Sequence, residues 1–274
     1  MDRAILWKLL GHYGIPNKII TLIKNTYQGT SCTVLHAGQP SESFEVKTGV
    51  RQGCLLSPFL FLIAIDWIMK TTTKGRKNGI QWSLWTQLDD LDFADDLALL
   101  SHNHNQMQDK TTILATTSLG TGLRINRKKT NIISINSAIN NTVTVGGEPI
   151  MEVNSFTYLG SIIDKEGGTD NDVMARIGKA RTAFIILKNI WASKDIATST
   201  KVRLFNSNVK SVLLYGSETW RMTKRTLQKL QTFINNCLRR IFRIRWPDKI
   251  KNEELWRKGM QEPVEKQILK RKWG

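Results

Sequence analysis

Cysteine is scarce. Cys32, Cys54 and Cys237 are odd in number, widely separated, and form no Cys-x-x-Cys pair. This argues against a disulfide framework or a structural zinc site, and no disulfide partner is expected. Long apolar runs are also missing. The longest, Phe59–Ile65, ends at Asp66, too short to cross a bilayer, and Met1-Asp2-Arg3 opens no signal peptide. No membrane association is expected, and the chain reads as soluble, intracellular and globular, nucleus and cytoplasm being indistinguishable. Acid is the third deficit: 23 Asp and Glu stand against 40 Lys and Arg, a net charge of +17. Residues 1–165 hold 16 basic and 13 acidic residues, a net of +3, whereas residues 166–274 hold 24 and 10, a net of +14. Such asymmetry suggests a polyanion along the second part, the alternative being a solvated basic surface.

Apolar residues make up 41% of the 274, enough for a core. Residues 3–27 have helical spacing broken by Gly14-Ile15-Pro16, with Asn17 a candidate cap. Residues 31–37 and 42–48 predict a hairpin around Gly38-Gln39-Pro40, and 49–53 a loop. A buried helix is expected over 56–69, with Ser57 near its cap and Pro58 in its first turn. A further helix is expected over 104–120, ended by Gly120 or Gly122. Strand-like runs follow at 130–136, 142–145 and 155–160. Strand signals then stop. Apolar stripes over 172–193, 199–215 and 224–243 predict three amphipathic helices able to bury one another's faces. The layout is α+β followed by all-α, with a boundary in 164–168. Trp191, Trp220 and Trp246 are expected in the core or at a junction, and His102 and His104, without a third ligand, as turn residues.

Residues 88–101 place five aspartates, Asp89, Asp90, Asp92, Asp95 and Asp96, within eight positions between apolar flanks. Carboxylates this dense raise one another's pKa unless a cation sits among them. Asp95-Asp96 between Leu91-Asp92-Phe93 and Leu97-Ala98-Leu99-Leu100 fits a hairpin tip offering hard oxygens to Mg²⁺ or Mn²⁺. A solvated acidic turn fits equally well.

Phe93-Ala94-Asp95-Asp96 resembles the aromatic-x-Asp-Asp motif of reverse transcriptases. Gly49-Val-Arg-Gln-Gly-Cys-Leu-Leu-Ser-Pro-Phe-Leu-Phe61 resembles the second palm motif of that family, Gly122-Leu-Arg-Ile-Asn-Arg-Lys-Lys-Thr130 the fourth, and Phe156-Thr-Tyr-Leu-Gly160 the fifth, or primer grip. Four motifs in order over about 110 residues are specific. Their wording, with Leu62-Ile-Ala-Ile-Asp-Trp-Ile-Met69, is most similar to non-LTR (LINE-type) retrotransposons of the RTE-like group.

The resemblance implies a right-hand polymerase fold: a palm of antiparallel sheet and helices over 1–165, a helical thumb over 166–248, and a basic helical extension over 249–274, with the fingers largely absent. It implies RNA-directed DNA synthesis on an RNA template and a DNA primer from deoxynucleoside triphosphates, with two Mg²⁺ (or Mn²⁺) ions roughly 3.5–4 Å apart stabilising the attacking and leaving oxygens. Asp95 would ligate metal directly, with Asp96 the second acid and Phe93 packed beneath the turn. Asp89, Asp90 and Asp92 would be strand-entry or surface acids. Arg51, Gln52, Gly53 and Phe93 would contact nucleotide or template. Lys129 matches the proposed proton donor to pyrophosphate, and Phe156, Tyr158, Leu159 and Gly160 would support the primer. Arg176, Lys179, Arg181, Lys188, Lys201, Arg203 and Lys210 would bind phosphates without reading sequence. The family's first metal aspartate sits in Ala-Phe-Asp-Ser-Val-Asp-Arg, of which Asp2-Arg3 match only the end. Inactivity alone is therefore expected, and a non-catalytic basic nucleic-acid-binding remnant is the alternative.

Overall fold

The computed structural model describes residues 1–75, 78–135 and 142–274. Two helices open the chain, α1 (Arg3–His12) and α2 (Asn17–Tyr27). The Asp2 carboxylate accepts from the Ile5 N–H at 3.1 Å and caps α1. Asn17 is the first helical residue of α2, not its cap. That place belongs to Pro16, whose fixed φ suits the entry. The hairpin at 31–45 is two short ladders, β1 (Ser31–Cys32) with β4 (Phe44–Glu45) and β2 (Leu35–His36) with β3 (Gln39–Pro40), turned by Ala37-Gly38.

Helix α3 (Ser57–Thr73) runs four residues beyond the expected end. Ser57 caps nothing; its hydroxyl donates to the Arg51 carbonyl and ties the preceding loop to the helix. After β5 (Ile80–Gln81) and β6 (Gln87–Leu88) come β7 (Asp90–Phe93), β8 (Asp96–Leu99) and α4 (His104–Gly120), which Asn103 caps through Gln106 N–H at 3.0 Å. The run expected over 130–136 keeps only β9 (Asn131–Ile132), and its last residue lies outside the described ones. The chain continues through β10 (Thr144–Val145), β11 (Glu148–Pro149) and β12 (Met151–Glu152). β12 pairs in parallel with β9, a pairing too short to leave a sequence pattern.

The chain folds as two compact units, Met1–Val153 and Asn154–Gly274. In the first, α1, α2 and α3 bury Leu6, Leu10, Ile20 and Leu60 together. The other side of α3, through Ile65, Ile68 and Met69, packs with Leu114 of α4.

The second unit opens with β13 (Ser155–Tyr158) and β14 (Ser161–Asp164), so the strand expected over 155–160 turns back at Leu159-Gly160. Helices α5 (Asp170–Ile186), α6 (Lys188–Ala192), α7 (Thr198–Phe205), α8 (Ser211–Leu213), α9 (Lys224–Ile241), α10 (Asn252–Lys258) and α11 (Val264–Trp273) follow. Two expected helices are interrupted. The 172–193 stripe breaks at Leu187, and the Trp191 indole N–H donates to the Phe184 carbonyl at 2.7 Å. The 199–215 stripe carries a π-helical segment at Asn206–Lys210. Leu255, Val264 and Ile268 join the core of α5, α7 and α9, so the basic C-terminal segment is part of the packed unit. Trp191 and Trp220 are buried as expected; Trp246 is 90% exposed. Every sheet among the described residues has two strands, and no described helix is long and apolar enough to cross a membrane.

Candidate nucleic-acid and metal site

Strands β7 and β8 pair Asp90 with Leu99, Leu91 with Ala98, Asp92 with Leu97 and Phe93 with Asp96, leaving Ala94-Asp95 as a two-residue turn. Ala94 takes φ +56°, a region that disfavours a side chain. Residues paired across an antiparallel ladder share a face. Leu97 and Leu99 pack against the core of α3 and α4, which puts Asp90 and Asp92 on that inner face. Leu91, Phe93, Ala98 and Asp96 share the outer one. Phe93 is 63% exposed, so it does not pack beneath the turn: its register sends it outward. Asp95 and Asp96 are both exposed at the tip, their carboxylates with no hydrogen-bond or ion-pair partner among the described residues.

The inner acids behave differently. Burial pushes the Asp92 carboxyl up to about 6, helped by Asp90, to which it hydrogen-bonds, and by Asp66. Burial also raises Asp90. Asp66, inside α3, accepts from the Tyr13 hydroxyl and from Lys70 Nζ at 2.8 Å, while burial and this carboxylate push Tyr13 up to about 12. An acid whose folded pKa exceeds its unfolded value loses stability as pH rises between the two, here from about 4 to about 6. Asp92→Asn is therefore expected to stabilise the chain at neutral pH by about 1 kcal/mol, a figure reduced for solvent screening at this half-open position. The gain should vanish at pH values below about 4. Urea unfolding at both pH values checks this, and a destabilised variant at neutral pH would contradict it.

Asp89 stands at the entry of β7, and its carboxylate is engaged there. Lys110 of α4 is fully buried, and its ammonium donates to Asp89 Oδ1 at 2.6 Å, the Asp89 carbonyl at 3.0 Å and the Leu100 carbonyl at 2.8 Å. All three of its donors are used. This clamp joins both ends of the hairpin to α4, and sequence reasoning missed it. Lys110 shares the buried side of α4 with Thr111, Leu114 and Ser118, and a lysine on that side, next to an acid-rich hairpin, was the available signal.

In the loop before α3, Arg51, Gln52 and Gly53 are all exposed, Gly53 with φ +81° and open space where a Cβ would stand. Arg3, also unforeseen, anchors this loop: its guanidinium lies over the Tyr27 ring and donates to the Gly49 carbonyl at 3.0 Å and the Tyr27 carbonyl at 3.2 Å. Lys129 is exposed in the turns after α4, its ammonium without a partner among the described residues. His102 accepts from the Gln81 N–H at 3.2 Å, and His104 opens α4.

In the second unit, Leu159 and Gly160 form the two-residue turn of β13–β14, with Phe156 and Tyr158 half-buried on β13. The Arg176 guanidinium donates to the Gly160 carbonyl at 2.7 Å and lies 4.4 Å from the Tyr215 ring centre. A Cβ on Gly160 would stand 3.3 Å from that guanidinium. Asp172 accepts from the Ile162 N–H at 3.0 Å and the Trp220 indole at 2.8 Å. Arg176 is thus buried structure, not a free phosphate ligand. Lys201 is buried, donating to the carbonyls of Trp191 and Ser193, because α7 packs onto the end of α6. Lys210 is half-buried against Gln261 at 2.6 Å, and burial, with Arg271 nearby, pushes it down to about 8. Lys179, Arg181, Lys188 and Arg203 remain exposed.

The carboxylates at the tip suit a hard divalent ion in the chemistry of their donors. Two do not complete a shell of about six oxygens, and no group of three His, Cys, Asp or Glu among the described residues is placed to hold a metal.

Residues 2–163 match the family model described as reverse transcriptase (RNA-dependent DNA polymerase), and residues 183–215 match a domain of unknown function, DUF6451. The chain is 30% identical over 166 residues to the Retrovirus-related Pol polyprotein from type-2 retrotransposable element R2DM of Drosophila melanogaster, covering 59% of this chain and 14% of that protein. It is 22% identical over 256 residues to the Retrovirus-related Pol polyprotein from type-1 retrotransposable element R2 of Popillia japonica, covering 89% and 40%. To the RNA-directed DNA polymerase from mobile element jockey of Drosophila funebris it is 22% identical over 239 residues, covering 84% and 25%. The chain spans less than half the length of each of these relatives.

Proposed function

This chain belongs to the reverse transcriptase family, and from that premise we propose that it is the palm-and-thumb part of an RNA-directed DNA polymerase of a non-LTR retrotransposon. The palm spans 1–165, the thumb 166–248 and the basic extension 249–274. One observation carries the reading: within the family-matched segment, the hairpin tip presents Asp95 and Asp96 to solvent with no group among the described residues neutralising either carboxylate. Asp95 is the direct metal ligand and Asp96 its support. When bound, Mg²⁺ or Mn²⁺ supplies charge stabilisation to the attacking and leaving oxygens of nucleotidyl transfer.

The remaining roles fall to side chains with free polar or flat surface. Gln52 and Arg51 offer donors to nucleotide or template, and Gly53 lets a base pair approach the backbone. Phe93, exposed beside the tip, offers a flat apolar face to the same partners. Lys129 offers a proton to departing pyrophosphate. The turn Leu159-Gly160, held by Arg176 and Asp172, supports the primer strand, and Lys179, Arg181, Lys188 and Arg203 face phosphates. The partners are an RNA template, a DNA primer and deoxynucleoside triphosphates.

Hairpin β7–β8 is a two-stranded sheet among the described residues, and Leu91 and Phe93 on its outer face are exposed. Two strands alone are marginal, and a third strand carrying the first-motif carboxylate would add a pairing partner and the missing ligand. The test is RNA-templated primer extension by a version bearing an N-terminal first-motif strand. Extension is expected, with Asp95→Ala lowering it by at least about a thousandfold, equivalent to roughly 4 kcal/mol. Extension that survives Asp95→Ala would refute the assignment. A non-catalytic nucleic-acid-binding remnant is the second reading, favoured by the absence of a third acid beside Asp95 and Asp96 among the described residues.

A further inference from the structure

A groove of about 770 Å³ runs between the α5–α6 junction and the C-terminal end of α9. Six cations line it, Lys188, Lys194, Arg239, Arg240, Arg243 and Arg245, and no acid does. Two of them are used structurally. Arg243, held at φ +59°, donates to the carbonyls of Ala192 and Ser193 at 2.6 and 2.8 Å, and Arg239 donates to Asn252 at 2.9 Å. Arg239 and Arg240 also complement the α9 dipole. Neither fact accounts for Lys188, Lys194 and Arg245. These three and Arg240 are exposed, with side chains that bond to no protein group among the described residues.

Like charges around one concavity repel, and only an anion relieves them. The lining also carries Ile185 and Ile244, and Trp246, next in sequence to Arg245, is an exposed aromatic. A concave cationic wall with apolar surface and a neighbouring indole suits a flexible strand, which turns phosphates to the cations and lays bases on the flat groups. A duplex keeps its bases stacked inside and offers phosphates only. We infer that this groove binds single-stranded nucleic acid. The site lies apart in sequence from the β7–β8 hairpin and needs neither metal nor nucleotide, so it goes beyond the polymerase reading.

The experiment uses the full chain and fluorescence anisotropy with two probes: an oligouridine RNA of about 20 nucleotides, longer than the roughly 4–16 that such sites span, and an RNA–DNA duplex of equal length. The triple variant Lys194→Glu/Arg240→Glu/Arg245→Glu is expected to bind the single strand at least about tenfold more weakly, with its log K–log salt slope shallower by about 2, at about 0.7 per phosphate. Duplex binding should change less than about threefold, since none of these three residues is among the cations assigned to the primer–template phosphates. Trp246→Ala, which leaves the charge intact, should weaken the single strand about fivefold or more through lost stacking. Equal losses on both probes, or single-strand binding unchanged in both variants, would overturn the inference.

Discussion

Given a primed RNA template, deoxynucleoside triphosphates and Mg²⁺, this chain alone is expected to leave the primer unextended. The deficit is one of ligands. In-line phosphoryl transfer needs two ions held close together, and their carboxylates must come from more than one strand. Here the tip of β7–β8 supplies Asp95 and Asp96, and no third acid among the described residues joins them. The other carboxylates cannot move in to help. Asp89 is bonded to buried Lys110, Asp90 and Asp92 share a hydrogen bond on the opposite face, and Asp66 is engaged by Tyr13 and Lys70. Each 1.36 kcal/mol of lost transition-state stabilisation is about tenfold in rate, so a missing ligand worth several kcal/mol puts extension below detection. Primer extension followed on a gel checks this. Product made by the unmodified chain and lost in Asp95→Ala would show that the described residues suffice.

The second large effect is on stability. Lys110→Ala is expected to destabilise the first unit by roughly 3 kcal/mol, because it leaves Asp89 and two carbonyls without their shared donor. For a unit of this size that lowers the melting temperature by about 10 °C. The hairpin and α4 should lose amide-exchange protection before α1 and α2 do, since the clamp joins only the former. Adding Asp89→Asn should recover part of the loss by removing the stranded charge. A Lys110→Ala chain as stable as the parent would mean that the ammonium's three bonds contribute nothing net.

Much of this was legible in the sequence, and the failures are physical. Helix α4 was legible because glycines follow its polar and apolar run: it ends at Gly120, and Gly122, with φ +72°, stands just past its last turn. The Asp95 turn could be located because buried-strand residues flank it. What the sequence hid was tertiary competition for polar groups. Trp191 donates to Phe184 across the break in an apolar stripe that looked continuous. Arg176 and Lys201 look like surface cations in a linear count, yet both are buried, Arg176 donating to the Gly160 carbonyl and Lys201 to those of Trp191 and Ser193. The facing of Phe93 was readable in principle. Leu97 and Leu99 claim the core side of β8, and pairing Asp92 with Leu97 leaves Phe93 no place but the outside.

The identity of the metal-facing acids is the central claim, and paramagnetic Mn²⁺ tests it most directly. Titrated into isotope-labelled chain, Mn²⁺ should broaden amide signals around Ala94, Asp95 and Asp96 first, at concentrations reflecting a weak two-carboxylate site, and Asp95→Asn/Asp96→Asn should abolish that broadening. Broadening centred on Asp66, Asp90 and Asp92 instead, unaffected by the double variant, would contradict the account.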